Sequence, residues 1–266
     1  MSILEEIIAY KSLVLKKQRE FVPIKDLEKS HYFHRKTISM KAALQREDKV
    51  GIIAEIKRSS PSQGVINHQV DVEKLTKDYL HFGASALSVL TDYKYFGGTI
   101  DDLKIARKNS QSPILRKEFI IDEYQLIQSK SIGADCILLI ASAVSEKRCK
   151  QLARFAKKIG LEILLEVHSK KEIESHLSDE VDIVGVNNRN LHNFTTSIQQ
   201  SIELATYIPD EYVKISESGI RNASGIIELT RHGFEGFLIG THFMNHAQPE
   251  LACEAIVQEV LKMQAS

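Results

Sequence analysis

Cysteine is scarce and unpatterned in this chain. Cys136, Cys149 and Cys253 are an odd number without C-x-x-C spacing, which excludes a disulfide framework or a zinc knuckle and fits a reducing cytosol. Charge of one sign is also missing. The 35 lysines and arginines balance 35 aspartates and glutamates, so the molecule carries no long-range field to gather nucleic acid or anionic lipid. No apolar run approaches the roughly 18 residues that span a bilayer, and Glu5 and Glu6 interrupt the first apolar stretch. A soluble cytoplasmic protein is expected, without a nucleic-acid or membrane partner. No G-x-G-x-x-G or G-x-x-x-x-G-K-[ST] loop comes after the first strand-like run, which weighs against an open dinucleotide- or nucleotide-binding sheet.

What is present falls into two parts. Over residues 1–45, apolar positions Ile3, Ile7, Ile8, Val14 and Leu15 approximate helical spacing to about Glu20. Pro23 interrupts that helix, and "SMKAALQR" is a second helical piece. The expectation is an N-terminal helical extension packed on the remainder of the chain. Over residues 46–266, eight short and nearly unbroken apolar runs alternate with amphipathic stretches: "GIIAEIK", "ASALSVL", "SPILRKEF", "ADCILLI", "LEILLEV", "VDIVGVN", "EYVKISES" and "EGFLIG". Strands apolar at nearly every position, each followed by a helix, indicate parallel pairing with both faces covered. Eight such units predict an α/β fold, a closed (β/α)8 TIM barrel. The chain ends one helix after the eighth strand, so no fused second enzyme is expected.

Charges in these runs sit where strands stop, the end at which barrels of this type carry their chemistry. The first run ends with Glu55, Lys57 and Ser60, the third with Lys117 and Glu118, and the fifth with Glu166; the sixth ends with Asn187, Asn188 and Arg189, and the seventh with Glu217 and Ser218. Glu55 and Lys57, two apart, share a strand face. An unpaired charge buried there costs several kcal/mol, so Lys57 and Lys117 with Glu55, Glu166 and Glu217 around one mouth offer mutual compensation. Any one of them fits a structural ion pair; five at the same end of separate strands indicate a functional pocket. "SESGI" and "LIGTHFM" each precede a helix. Ser218, Gly219, Gly240 and Thr241 leave backbone N–H groups open to an anion, and loops after strands seven and eight hold phosphate in many such barrels. Ser60 and Gly64 could complete that grip across the closing seam.

"IIAEIKRSSPSQG", "LTDYKYFGG", "LRKEFIID", "LLEV", "GVNNRNL", "ISESGI" and "FLIGTHFM" resemble, in order and spacing, the motifs of the indole-3-glycerol phosphate synthase family of tryptophan biosynthesis. The resemblance spans essentially the whole chain. It implies a carboxy-lyase that converts 1-(2-carboxyphenylamino)-1-deoxyribulose 5-phosphate to indole-3-glycerol phosphate, carbon dioxide and water, with no metal or organic cofactor. It further implies Lys117 as the acid that protonates the substrate ketone, Lys57 on the anthranilate carboxylate and as a donor in the dehydration, and Glu166 as a base or second acid–base group. Glu55 and Glu217 would orient lysines and hydroxyls, Asn187 would bind hydroxyls, and Arg189 would lie near the carboxylate. Ser60, Ser218, Gly219, Gly240 and Thr241 would hold the phosphate, and Phe96, Phe119, Leu138 and Leu191 would wall the aromatic ring. Gly240-Thr241-His242-Phe243-Met244 departs from the family's usual last loop through Thr241 and His242. His242 and His246 have metal-compatible spacing but no evident third ligand, so solvent-facing histidines are expected. His168 follows Glu166 by two and would share its face. Two other readings carry over the phosphate loops: a phosphoribosyl isomerase, which would place cysteine or aspartate where Glu55 and Lys57 stand, and a non-catalytic partner of other pathway proteins, which would have no use for Lys57, Lys117 and Glu166 together. A monomer or weak homodimer is expected.

Overall fold

The computed structural model describes residues 2–190 and 195–265. Among these residues ten strands are formed: β1 (Ile52–Ile56), β2 (Ser59–Ser60), β3 (Gly64–Val65), β4 (Ala86–Leu90), β5 (Ile114–Lys117), β6 (Cys136–Ile140), β7 (Glu162–Val167), β8 (Ile183–Asn187), β9 (Val213–Glu217) and β10 (Phe234–Ile239). β1 and β4 to β10 close into a barrel in the order β1-β10-β9-β8-β7-β6-β5-β4, every pair parallel. β2 and β3 form a small antiparallel hairpin just after the first barrel strand. The helices are α1 (Ile3–Phe21), α2 (Ile24–Leu27), α3 (Met40–Leu44), α4 (Val72–His81), α5 (Tyr93–Phe96), α6 (Ile100–Lys108), α7 (Glu123–Ser131), α8 (Glu146–Lys158), α9 (Lys170–His176), α10 (Gln199–Ala205), α11 (Ala223–Arg231), α12 (Thr241–Met244) and α13 (Pro249–Gln264). The eight runs and the first helix fall where the periodicity predicts; α2, the hairpin, α5 and α12 are too short to carry a periodic signal.

Side-chain alternation splits the apolar residues into two clusters. Ile52, Ala54 and Ile56 of β1 pack outward with residues such as Leu139, Leu165 and Val184 under the helix layer. Ile53, Leu115, Leu138, Leu164, Ile183, Ile215 and Leu238 pack inside the barrel. The next inward positions, two residues further along each strand, include Glu55, Lys117, Glu166 and Glu217. Hydrocarbon therefore fills the lower barrel and charge its upper layer.

Residues before β1 touch both ends of the barrel. At the bottom, Met40 and Leu44 of α3 join the interior cluster and plug it. Glu162 at the start of β7 fixes α3 by accepting from the Ser39 hydroxyl at 2.5 Å and the Met40 and Lys41 amides at 2.6 and 3.0 Å. At the mouth, Ile3, Leu4 and Ile7 of α1 line the cavity. Lys11, four residues from both Ile7 and Leu15 and so within the apolar stripe, is buried between Asp92 at 2.8 Å and Glu118 at 2.9 Å. Glu118 also accepts from Thr91 at 2.9 Å and lies 3.7 Å from the fully buried Arg116. Glu118 thus directs its carboxylate to Lys11 and Thr91 rather than to the pocket charges beside it in sequence, although it borders the same cavity.

Removing one member of a buried ion network strands the rest. Lys11→Met is expected to destabilise the protein by about 3–5 kcal/mol, read as a lower urea midpoint at unchanged slope; a shift within error would show that α1 is not held by this network.

Candidate active site

The inward ends of the barrel strands converge on one cavity. It is lined by Glu55, Lys57 and Ser60 from β1 and the hairpin, Lys117 and Phe119 from β5 and the loop after it, Leu138 and Ile140 from β6, Glu166 and His168 from β7 and its end, Asn187 and Arg189 from β8 and its end, and Glu217 and Ser218 from β9 and its end, with Phe96 at the end of α5. Phe96 and Phe119 stand 6.0 Å apart between ring centroids and give the cavity an aromatic wall. Leu191, expected on that wall, lies outside the described residues.

Lys117 is the hub of the charges. Its Nζ lies 2.9 Å from Glu166 Oε2 and also donates to Glu217 Oε2. Asn187 Nδ2 donates to Glu166 Oε1 at 3.0 Å, and Asn187 Oδ1 accepts from the Arg189 amide, also at 3.0 Å. Lys57 Nζ pairs with Glu55 Oε1 at 2.8 Å. Two glycines make room for the carboxylates. A Cβ on Gly240 would sit 2.3 Å from Glu55 Oε1, and one on Gly185 would sit 2.3 Å from Glu217 Oε1.

The two carboxylates on Lys117 are driven apart. Burial raises the Glu217 carboxyl to about 7, reinforced by the charges of Glu166 and Glu55 and opposed by Lys117. Burial also works against Glu166, but there the Lys117 ammonium, followed by His168 and the Asn187 amide, holds the group down at about 2. The Lys117 ammonium, disfavoured by burial, is kept above the ordinary lysine range by Glu166, Glu217 and Glu55. Titratable neighbours whose surroundings push them in opposite directions are candidates for acid–base roles. Glu217 Oε1 is buried and has no hydrogen-bond partner among the described residues, so an acceptor or donor is left free beside the lysine.

The raised Glu217 value makes stability depend on pH. It lies above the ordinary 4.5, so between about 4.5 and about 7 the folded state binds more protons than the unfolded one, and this group's contribution to stability falls as pH rises. Glu217→Gln lacks that slope. Its melting temperature relative to the unsubstituted protein is expected to rise between pH 5 and pH 8; a constant difference would place the Glu217 carboxyl at its ordinary value.

A second hollow adjoins the first through Glu55, Lys57, Arg189 and Ser218, and it is bounded by Gly219, Arg221, Gly240, Thr241, His242 and Asn245. Ser218 and Gly219 take consecutive positive φ of 67° and 78°, a conformation that costs a non-glycine residue and tends to be kept at ligand-binding turns. Asn188, buried, braces the turn by donating to the Ser218 carbonyl at 3.0 Å and the Ser216 hydroxyl at 2.9 Å. Ser60 borders the first cavity rather than this one, its hydroxyl 3.4 Å from that of Ser62, and Gly64 belongs to the hairpin and borders neither. Arg221 on this rim is not nominated by the sequence patterns above, although "SESGIR" carries it. His242 meets His246 edge to face with centroids 5.0 Å apart, and burial, then His246 and Arg221, push its ring below the ordinary histidine value. Among the described residues no group of three or more His, Cys, Asp or Glu is placed to hold a metal ion, and no helix is long and apolar enough to cross a membrane.

Comparison with known proteins agrees with this geometry. The family model described as "Indole-3-glycerol phosphate synthase" matches residues 4–256. A Bacteroides thetaiotaomicron protein named indole-3-glycerol phosphate synthase is 46% identical over 247 residues, covering 93% of this chain and 94% of that protein. A Campylobacter fetus protein of the same name is 39% identical, covering 91% and 94%. Among solved structures, 3-hexulose-6-phosphate synthase from Salmonella typhimurium superposes with a TM-score of 0.63 at 13% identity over 80% of this chain and 99% of that one. A mutant tryptophan synthase alpha-subunit from Pyrococcus furiosus superposes with a TM-score of 0.59 at 14% identity over 80% and 98%; at such identities these two speak for the barrel alone. With the family model covering nearly its whole length and full-length relatives of one name, the chain belongs to the indole-3-glycerol phosphate synthase family.

Proposed function

We propose that the double cavity binds 1-(2-carboxyphenylamino)-1-deoxyribulose 5-phosphate and carries out the family's ring closure, decarboxylation and dehydration with the residues that line it. The aromatic carbon bearing the carboxylate must attack the ketone carbon, and the electron pair of the carbonyl must be taken up by a proton. Lys117, charged and central, donates that proton. Lys57 and Arg189 hold the carboxylate until the bond to it breaks and carbon dioxide leaves. In the dehydration the new hydroxyl departs with a proton from Lys57 while Glu166 takes the proton from the neighbouring carbon. Glu55 and Glu217 fix the two lysines, and Asn187 fixes Glu166 and a substrate hydroxyl.

Binding is divided between the two hollows. Phe96, Phe119 and Leu138 would take the ring, Leu191 being assigned by resemblance alone. Ser218, Gly219, Gly240 and Thr241 would take the phosphate. Residues 1–45 act as an extension of a catalytic barrel over residues 46–266, the protein works in the cytoplasm, and it functions as a monomer or weak homodimer.

The observation that carries this reading is the Lys117 ammonium held between the Glu166 and Glu217 carboxylates inside an aromatic-walled cavity. Incubation of the purified protein with the carboxyphenylamino substrate should generate indole fluorescence. A folded protein that leaves the fluorescence flat would overturn the proposal, and an isomerase or a binding-only barrel would give that flat trace.

A further inference from the structure

His168 occupies the next inward position beyond Glu166 and borders the cavity, yet it has no part in the division of roles above. Its backbone is tethered on both sides: the amide donates to Glu172 Oε2 at 2.5 Å, and the carbonyl accepts from Gln200 Nε2 at 3.1 Å. Its ring is not. Nε2 lies 3.8 Å from Glu166 Oε1 and Nδ1 lies 3.8 Å from Glu172 Oε2, beyond hydrogen-bond reach. Both nitrogens are buried, and neither has a hydrogen-bond partner among the described residues. An imidazole carries at least one N–H in either of its ordinary protonation states, and a buried donor without an acceptor is costly.

The same reaction that uses Lys117 strands Glu166. As the ammonium turns from Glu166 toward the ketone, the buried carboxylate keeps only the Asn187 amide and loses its counter-ion. A shift of about 1 Å then brings Glu166 Oε1 within bonding distance of His168 Nε2. We propose that His168 is a positioning residue that takes over the Glu166 carboxylate when Lys117 engages substrate, with Glu172 of α9 holding the opposite edge of the ring. The charged groups facing it are Glu166 on its own strand and Glu172 on the packed helix, with Lys117 of β5 beyond Glu166. This rests on the reading of Glu166 as a proton-transfer group.

The test compares His168→Leu, which keeps bulk but no donor, with His168→Gln, whose amide nitrogen reaches the Nε2 position. Loss of a hydrogen bond to a charged group should lower kcat by about 10- to 100-fold in the leucine variant and leave KM within about 2-fold; the glutamine variant should recover most of kcat. Wild-type turnover in the leucine variant, or equal loss in both with lowered melting temperatures, would reduce His168 to packing. Glu166→Gln is assayed in parallel: if it retains turnover, the reading of Glu166 itself fails, whereas its inactivity beside an unaffected His168→Leu overturns the positioning role alone. Histidine-15N NMR needs no His168 variant to fold. On adding indole-3-glycerol phosphate, the His168 Nε2 resonance should move in the native protein and stay in Glu166→Gln; an unmoved resonance in the native protein refutes the proposal.

Discussion

Lys117→Ala is expected to lower kcat by about 10³-fold or more while the protein still folds. The side chain sits where the inward faces of β5, β7 and β9 meet, with its nitrogen on Glu166 and Glu217 and its stem above Leu115 and Leu164 of the interior cluster. Among the described residues no other lysine is paired with those two carboxylates: Lys57 is engaged by Glu55 at 2.8 Å. A positioned proton donor is worth about 10²–10⁴-fold, and the electrostatic stabilisation of the oxygen as it gains charge adds to that. The fold should survive because both apolar clusters are untouched and the liberated carboxylates can share a proton instead of both remaining charged. Single-turnover fluorescence with the carboxyphenylamino substrate measures the loss, and circular dichroism checks the fold. Turnover near that of the unsubstituted protein would remove Lys117 from the chemistry.

Glu166→Gln carries the second large effect. The amide keeps the length and polarity of the side chain and can still bond Asn187, so substrate binding should change little. What it loses is the capacity to accept a proton. We expect kcat to fall by about 10²–10⁴-fold with KM within about 3-fold, the pattern of an interaction made only in the transition state. A raised KM with unchanged kcat would make Glu166 a binding group.

Strand periodicity makes the barrel and its charged layer legible in the sequence. Glu55 and Lys57 two apart, or Leu164 and Glu166 two apart, declare in one step which residues face inward and that the face changes from apolar to charged toward the strand end. The glycine and serine loops after β9 and β10 are equally readable, because backbone access at that end of a barrel has few other uses. Partnerships between distant elements are not. The spacing of Ile7, Lys11 and Leu15 puts Lys11 on the inward face of its helix, but nothing local names Asp92 and Glu118 as its partners there. Nor does sequence distinguish Glu118, which faces that network, from Lys117, which faces the cavity, except through strand parity continued past the last paired residue. The loop after β1 is equally opaque: the β2–β3 hairpin folds it back on itself, turning Ser60 toward the first cavity and leaving Gly64 at the border of neither hollow. Parity alone puts His168 on the face of Glu166, but its unsatisfied ring can be recognised only once Glu172 and the burial of both nitrogens are in view.

The central claim is spatial: one substrate lies across both hollows with its ketone at Lys117. A crystal structure of the Lys117→Ala protein soaked with 1-(2-carboxyphenylamino)-1-deoxyribulose 5-phosphate tests it directly. The predicted result is the anilino ring against Phe96 and Phe119, the phosphate on the backbone of Gly219 and Gly240, and the ketone oxygen facing the place vacated at position 117. A phosphate bound away from the loops after β9 and β10, or a ketone turned away from position 117, would contradict it.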